Sequence, residues 1–454
     1  MMPGSCSRIL TASLAGCLLA GLAACPREGA TLRGEPDDME AVRKLTLAGE
    51  PEKALEYFEE AVEREPDNLD AHRGLVEAAY YAGDLAAIAE RYQERVEADS
   101  EDGVAHYGLA LVAVARGPGH MAAALAHFGQ AAAALPQAAD VPYRIGLVHL
   151  LDGQPARARP ALERAVELAP ERPGPRIALG RCLAELGRGQ PAMEVMRPVV
   201  GQELTAREAQ KAQAVVALVF DPKRDLPTEL ATEIHRATDL LERDAVQPAL
   251  TQIDDLAVRF PQQSFVHTLR GLANSRMGNN GEAVVAFERA IELKPCNPTA
   301  MIGLGDVYLR LEKWNRARAQ FERALGCNPF DLTAYRRLGD MALELGDVER
   351  ALRSFETLVL LQPDDPGTLH RYADVLVQAD RLEQALGVYQ AILEREEDDM
   401  AALMRKARVH IALVKRQPAA AERHRSQARD LLEQAEELDP ENKAVQQLLA
   451  SLED

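Results

Sequence analysis

Ten histidines, six cysteines and a few acidic pairs are the residues of this chain equipped for chemistry, and their spacing decides what they can do. His72, His106, His120, His127, His149, His235, His267, His370, His410 and His424 are dispersed along the chain. None stands in an H-E-x-x-H pattern, and none pairs with cysteine at zinc-ligand spacing. His149 and His410 fall on inward-facing helical positions, where packed imidazoles are expected. Gly303-Leu304-Gly305 is reminiscent of a phosphate loop but follows no strand pattern. There is no G-x-S-x-G, no P-loop and no kinase signature. Asp254-Asp255 and Asp364-Asp365 read as solvated charge. The expectation is a chain without catalytic residues, metal site or cofactor.

The cysteines carry a different message. Cys6, Cys17 and Cys25 crowd the amino terminus, whereas Cys182, Cys296 and Cys327 stand alone and form no C-x-x-C pair. Cys182 reads as a small buried apolar residue of a helix. Cys296 and Cys327 sit near the ends of consecutive helical segments. A disulfide between them requires Cα atoms within about 7 Å. Near the start, Arg8 precedes an apolar run from Ile9 to Ala24, and the composition then turns abruptly polar. That is the pattern of a secretory signal, shorter than the roughly 20 residues that span a bilayer. Leu22-Ala23-Ala24-Cys25 resembles the bacterial lipoprotein signal box. The resemblance implies that residues 1–24 are cleaved, that Cys25 carries the lipid, and that residues 25–34 are a tether. Leu14-Ala15-Gly16-Cys17 fits the box too, with a shorter apolar run before it, and Cys25 is preferred over Cys17. Pro26 stands where some lipoproteins carry an inner-membrane retention Asp, so the resemblance favours the outer membrane, on its periplasmic face.

What positions the rest is a repeat. Gly271, Ala283, Phe287, Ala290 and Pro295 recur as Gly305, Ala317, Phe321, Ala324 and Pro329, each pair 34 residues apart. That period is the mark of a helix–turn–helix solenoid. The residues resemble the tetratricopeptide repeat, which implies an all-α, right-handed superhelix of about eleven repeats. Residues 35–206 then form a first block of about five repeats and residues 230–442 a second of about six. Residues 207–229 hold a divergent helix and a bend, read either as a hinge or as a degenerate repeat, and 443–454 a capping helix. The turn near Arg116–Met121 carries two extra residues, and that near Lys415–Ser426 about nine. Glycine early in the first helix (helix A) and alanine in the second (helix B) admit close approach, and a large side chain such as Phe287 fills the gap. Gly83, Gly153, Gly187, Gly278 and Gly346 suit left-handed helix ends.

Bulk properties narrow the partners. The 454 residues carry a formal charge of −19 and only 4% aromatics. Such acidity disfavours nucleic acid and anionic lipid surfaces. In the resembled family helix A lines a concave face. There, repeats two to four place Tyr80, Tyr81, Tyr107, Leu111, Val114, Tyr143, Leu147, Leu150 and Leu151, an apolar strip. Later repeats place Asp306, Arg310, Arg336, Asp340, Glu344, His370 and Asp374, a charged one. The first strip is expected to hold an extended or helical segment of a protein partner. The opposing reading is that tight curvature buries it. Changing Tyr107 and Leu147 to Ser is expected to remove capture without unfolding the array. The carboxylate clamp of some family members needs Lys and Asn where this chain has Asp and Arg, so it is not implied. The resulting expectation is a non-catalytic scaffold or assembly factor at the bacterial cell envelope. The alternative is a regulatory or substrate-delivery subunit of an envelope enzyme or of a polysaccharide or secretion system.

Overall fold

A computed structural model describes residues 50–221 and 226–453. The signal segment, Cys25, the tether and the first helix of the first repeat lie outside these described residues, as does part of the bend after Phe220. The regular structure described is helical throughout. It comprises α1 (Pro51–Arg64), α2 (Leu69–Ala82), α3 (Leu85–Ala98), α4 (Gly103–Ala115), α5 (Met121–Ala134), α6 (Asp140–Leu151), α7 (Pro155–Leu168), α8 (Pro173–Glu185) and α9 (Gly189–Met196). There follow α10 (Ala206–Phe220), α11 (Thr228–Glu242), α12 (Val246–Arg259), α13 (Ser264–Arg276), α14 (Asn280–Leu293), α15 (Pro298–Arg310), α16 (Trp314–Cys327) and α17 (Leu332–Glu344). The last are α18 (Val348–Leu361), α19 (Pro366–Gln378), α20 (Leu382–Leu393), α21 (Met400–Arg416), α22 (Ala421–Leu438) and α23 (Lys443–Glu453). Two compact units divide between Met196 and Arg197, so α10 stands with the second. Within each unit helices pack on their sequence neighbours, as a solenoid requires.

Each hairpin is punctuated by side chains at fixed places. Asn68, Asp102, Asn297, Asp331, Asp365 and Asp399 cap the first helix of their repeats, each accepting the amide three residues on. Such a cap contributes about 1 kcal/mol. Three residues into the same helix, a side chain reaches back six residues. His72 bonds the Pro66 carbonyl at 2.8 Å, His106 that of Ser100 at 3.1 Å and His267 that of Pro261 at 2.9 Å. Arg176, Tyr335 and Gln446 make the same tie to Pro170, Pro329 and Pro440. Three of the dispersed histidines are therefore structural ties between repeats. The first helices end as expected: Gly278 and Gly346 have φ of +77° and +73°. At the same place in neighbouring repeats Asp244, Glu312 and Asp380 adopt φ of 57°, 56° and 62° without being glycine.

The core follows the small–large logic of the repeat. Phe287 is fully buried between two glycines. A methyl added to Gly271 of its own repeat would lie 2.5 Å from the ring, and one added to Gly303 of the next repeat 2.4 Å. Close helix approach thus accounts for Gly303 as well as Gly305. Cys182 is buried, its thiol donating to the Pro155 carbonyl. Cys296 and Cys327 are joined in a disulfide with Cα atoms 5.6 Å apart. The inserted residues of the last repeat do not make a long turn. They are wound into α21 and α22, of 17 and 18 residues, joined by a 3-10 turn at Pro418–Ala420. In the second unit, α10 is tied far along the chain: Gln213 Nε2 donates to the Phe330 carbonyl at 3.2 Å. Just before it, Arg197 donates to the Gly326 carbonyl at 2.7 Å.

Candidate functional site

The apolar strip of the first unit divides in two. Tyr107, Leu111, Val114 and Leu150 are enclosed, with Tyr107 fully buried. For Tyr107, Leu111 and Val114 the reason is that α2 packs directly on α4, the first helices of successive repeats, and closes over one face of each; Leu150 is covered by the helices that follow α6. For these four residues the expectation of an exposed surface is corrected, and Tyr107→Ser would strike the core. Tyr80, Tyr143 and Leu147 are half-buried. Tyr81 and Leu151 are exposed, at 37% and 36%. Tyr80 and Tyr81 meet edge to face with ring centroids 5.4 Å apart. What remains open is a smaller set of apolar side chains, Tyr80 and Tyr81 on α2 and Tyr143, Leu147 and Leu151 on α6.

The starts of α2, α4 and α6 share a charged network which the sequence reading passed over. Asp140, at the start of α6, accepts hydrogen bonds from the Tyr107 hydroxyl and from Arg144 Nε. Arg172 and Arg73 approach its other oxygen at 3.6 and 3.9 Å. Asp140 and Arg144 are 6% and 8% exposed. Burial works to raise the Asp140 carboxyl, but Arg144, Arg73 and the Tyr107 hydroxyl outweigh it and hold it well below the usual carboxylate range. Burial first, then the Asp140 charge, pushes the Tyr107 hydroxyl up. The network therefore carries a fixed carboxylate and a neutral tyrosine, and it anchors the first helices of repeats two to five together. The legible signal was Asp140 and Arg144 four apart on one helix face.

In the second unit the charged strip is also tied between repeats. Asp306, Asp340 and Asp374 pair with Arg337, Arg371 and Arg405 at 2.7, 2.7 and 3.0 Å, each partner one repeat on. His370 pairs with Asp399 at 2.7 Å, and Arg310 bonds Ser275 and Asn280. Arg336 and Glu344 are exposed. Half-exposed pairs of this kind add little stability singly, so their periodic placement serves register. Among the described residues no group of three or more His, Cys, Asp or Glu is arranged to hold a metal ion. No helix among them is long and apolar enough to cross a membrane.

An array of paired helices with a residual open surface is the architecture of a repeat protein, and comparison with known proteins agrees. One profile described as tetratricopeptide repeat matches residues 107–173, 268–331 and 302–366. Another of the same description matches 45–87, 149–216 and 342–408. The chain belongs to the tetratricopeptide repeat family. Similar solved structures include PilW, described as a widely conserved type IV pilus biogenesis factor, at 18% identity and a TM-score of 0.39, covering 49% of this chain and 100% of that one. YrrB, described as having an unusual peptide-binding site, matches at 19% identity and a TM-score of 0.37, covering 44% and 97%. PilF of Pseudomonas aeruginosa matches at 18% identity and a TM-score of 0.28, covering 54% and 98%. Among curated proteins none matches.

Proposed function

We propose that the chain is a non-catalytic scaffold or assembly factor, held at the bacterial cell envelope by lipid on Cys25, which grips segments of protein partners through α2 and α6. Exposure of Tyr81 and Leu151 beside half-buried Tyr80, Tyr143 and Leu147 is the observation that carries this reading. Large apolar side chains held in the open on rigid helices favour association with a partner, and tyrosine offers contact area at low entropic cost. The buried Asp140 network ties together the starts of the helices that carry these side chains. The Cys296–Cys327 disulfide is in keeping with an oxidising compartment outside the cytosol.

The test places a photo-crosslinking residue at Tyr81 in the full chain in intact cells. Capture of components of an envelope assembly, lost in Tyr81→Ser with Leu151→Ser, is the expected result. Capture of a single hydrolase or synthase instead identifies a regulatory subunit. Capture unchanged by the double substitution overturns the surface. Palmitate labelling that persists in Cys25→Ala overturns the tether.

A further inference from the structure

The last repeat departs from the others, and the departure builds a cleft. The inserted residues lengthen α21 and α22 past the start of α20. Between the three helices lies a cleft of about 610 Å³. Gln417, Arg423 and His424 of its lining come from the inserted stretch, and Glu383, Leu386, Gly387 and Gln390 of α20 also line it. Its floor is a pair of imidazoles, His410 from α21 and His424 from α22, with Nδ1 atoms 3.0 Å apart. They are 4% and 9% exposed.

Hydrogen bonding settles which nitrogens carry protons. Gln417 donates through Nε2 to Glu383 at 2.8 Å, so its amide oxygen is the atom that faces His424 Nε2 at 3.2 Å. A carbonyl oxygen only accepts, so His424 carries its proton on Nε2 and offers a lone pair at Nδ1. His410 must then donate from Nδ1, which leaves its Nε2 as a bare acceptor. That atom has no hydrogen-bond partner within the described residues, although the ring lines the cleft. Burial first, then His424, Lys406 and Arg423, pushes the His410 imidazole down to about 4, so it is neutral at neutral pH.

The cations beside it have capacity to spare. Lys406 spends one N–H on Gln390, and Arg423 makes no hydrogen bond or ion pair with the described residues. Glu383 and Asp430 also line the cleft. Glu383 accepts from Gln417, and of the four charged side chains in the lining it is Lys406 and Arg423, after His424, whose influence reaches the His410 ring. A metal ion is disfavoured there by those cations and by the lack of further ligands. The complementary group carries negative charge and yet has a proton to give.

We propose that this cleft binds a small hydroxylated oxyanion, whose O–H donates to His410 Nε2 while its charged oxygens accept from Lys406 and Arg423. A hydrogen phosphate or phosphomonoester and an α-hydroxycarboxylate share this chemistry. The site is separate from the α2–α6 surface and does not depend on it.

Calorimetric titration of the full chain with inorganic phosphate and with glycerate tests the proposal, with sulfate and acetate as anions lacking the proton. Saturable binding of phosphate or glycerate is expected, at least about tenfold tighter than sulfate or acetate, as loss of one hydrogen bond to a buried acceptor implies. Phosphate alone identifies the phosphomonoester source, and glycerate alone the hydroxycarboxylate. Arg423→Gln, at an exposed position, is expected to weaken binding about tenfold with unchanged thermal unfolding. In ¹⁵N-histidine spectra, the bare Nε2 of His410 is the resonance that moves on saturation. Absence of saturation by both ligands at millimolar concentration, sulfate binding equal to phosphate, or affinity untouched by both Arg423→Gln and Lys406→Gln overturns it.

Discussion

Truncating Phe287 tests the packing logic at its most demanding point. The ring is wedged between Gly271 and Gly303, each close enough that a methyl on either would overlap it. In Phe287→Ala the space is left facing two residues that have no side chain to move into it. The cavity therefore stays open, and the cost falls toward the upper end of the 3–5 kcal/mol range for aromatic truncation, about 4–5 kcal/mol. Phe355, one further pair of repeats along, provides the control. Gly339 meets it on one side, but on the other the Arg371 guanidinium lies 5.9 Å from the ring centroid. Its aliphatic stem can close over part of the vacated space while the guanidinium keeps Asp340, so Phe355→Ala should cost about 3 kcal/mol. Repeat arrays unfold by nearest-neighbour steps, so the readout is hydrogen exchange of α14 and α15 set against that of α18 and α19, alongside urea unfolding. A cycle with Gly303→Ala sharpens the test. Alone that methyl clashes with the ring and costs about 1–3 kcal/mol, but in the Phe287→Ala background it fills part of the hole, so the two costs should fall short of additive. If Phe355→Ala proves the costlier, or the two costs add, the wedge account is wrong.

Three other perturbations follow from the same contacts. Asp140→Ala leaves Arg144, 8% exposed, without its carboxylate; unpairing a buried charge costs about 3–5 kcal/mol, read as loss of cooperative unfolding in the first unit, and Asp140→Asn should cost less. Glu312 adopts a left-handed φ of 56° at an exposed position, so Glu312→Gly should stabilise by about 0.5–1 kcal/mol in urea titration. His410 is held down near 4 in the fold against about 6.5 unfolded, chiefly by burial and then by His424, Lys406 and Arg423. Above pH 6.5 the ring is neutral in both states and its contribution is complete. Between pH 6.5 and 4 the unfolded chain takes up a proton that the folded chain refuses, so stability falls, by at most about 3 kcal/mol. His410→Leu should flatten that part of the pH–stability curve, and an unchanged slope would place its origin elsewhere.

How much of this was legible in the sequence depended on whether a feature repeats. The 34-residue recurrence of Gly271, Ala283 and Phe287 pointed to the hairpins and their core, because one small–large solution was used over and over. Tyr107 misled for a physical reason. On an isolated helix its position faces outward, but α2 packs on α4 and Asp140 supplies an acceptor for its hydroxyl, so the ring goes inside. A partner from the next repeat cannot be inferred from one helix read alone. The ties from His72, His106 and His267 to carbonyls six residues back were visible as spacing, yet histidine invited a chemical reading that drew attention from a structural one. The Asp306–Arg337 series was hidden similarly: Asp306, Asp340 and Asp374 read as surface charge, and their arginine partners, offset by one repeat, were not singled out.

Features that do not repeat are the ones most informative about binding. In an array where each hairpin answers only to its neighbours, an insertion disturbs one interface and leaves the rest intact. The last repeat uses that freedom. Its added residues are wound into helix, which holds Arg423 and His424 at fixed positions where a loose turn would not. The hydrogen-bond order from His410 through His424 and Gln417 to Glu383 uses three of the four imidazole nitrogens and leaves His410 Nε2 as the open one. A filler insertion would have no need to fix that one tautomer. The α2–α6 surface is the same kind of departure: Asp140 and Arg144 replace ordinary core packing with a buried ion pair, which by itself adds little stability but locks the helices that present Tyr81 and Leu151. Both departures hold a defined arrangement of side chains, which is what the two proposed binding sites require.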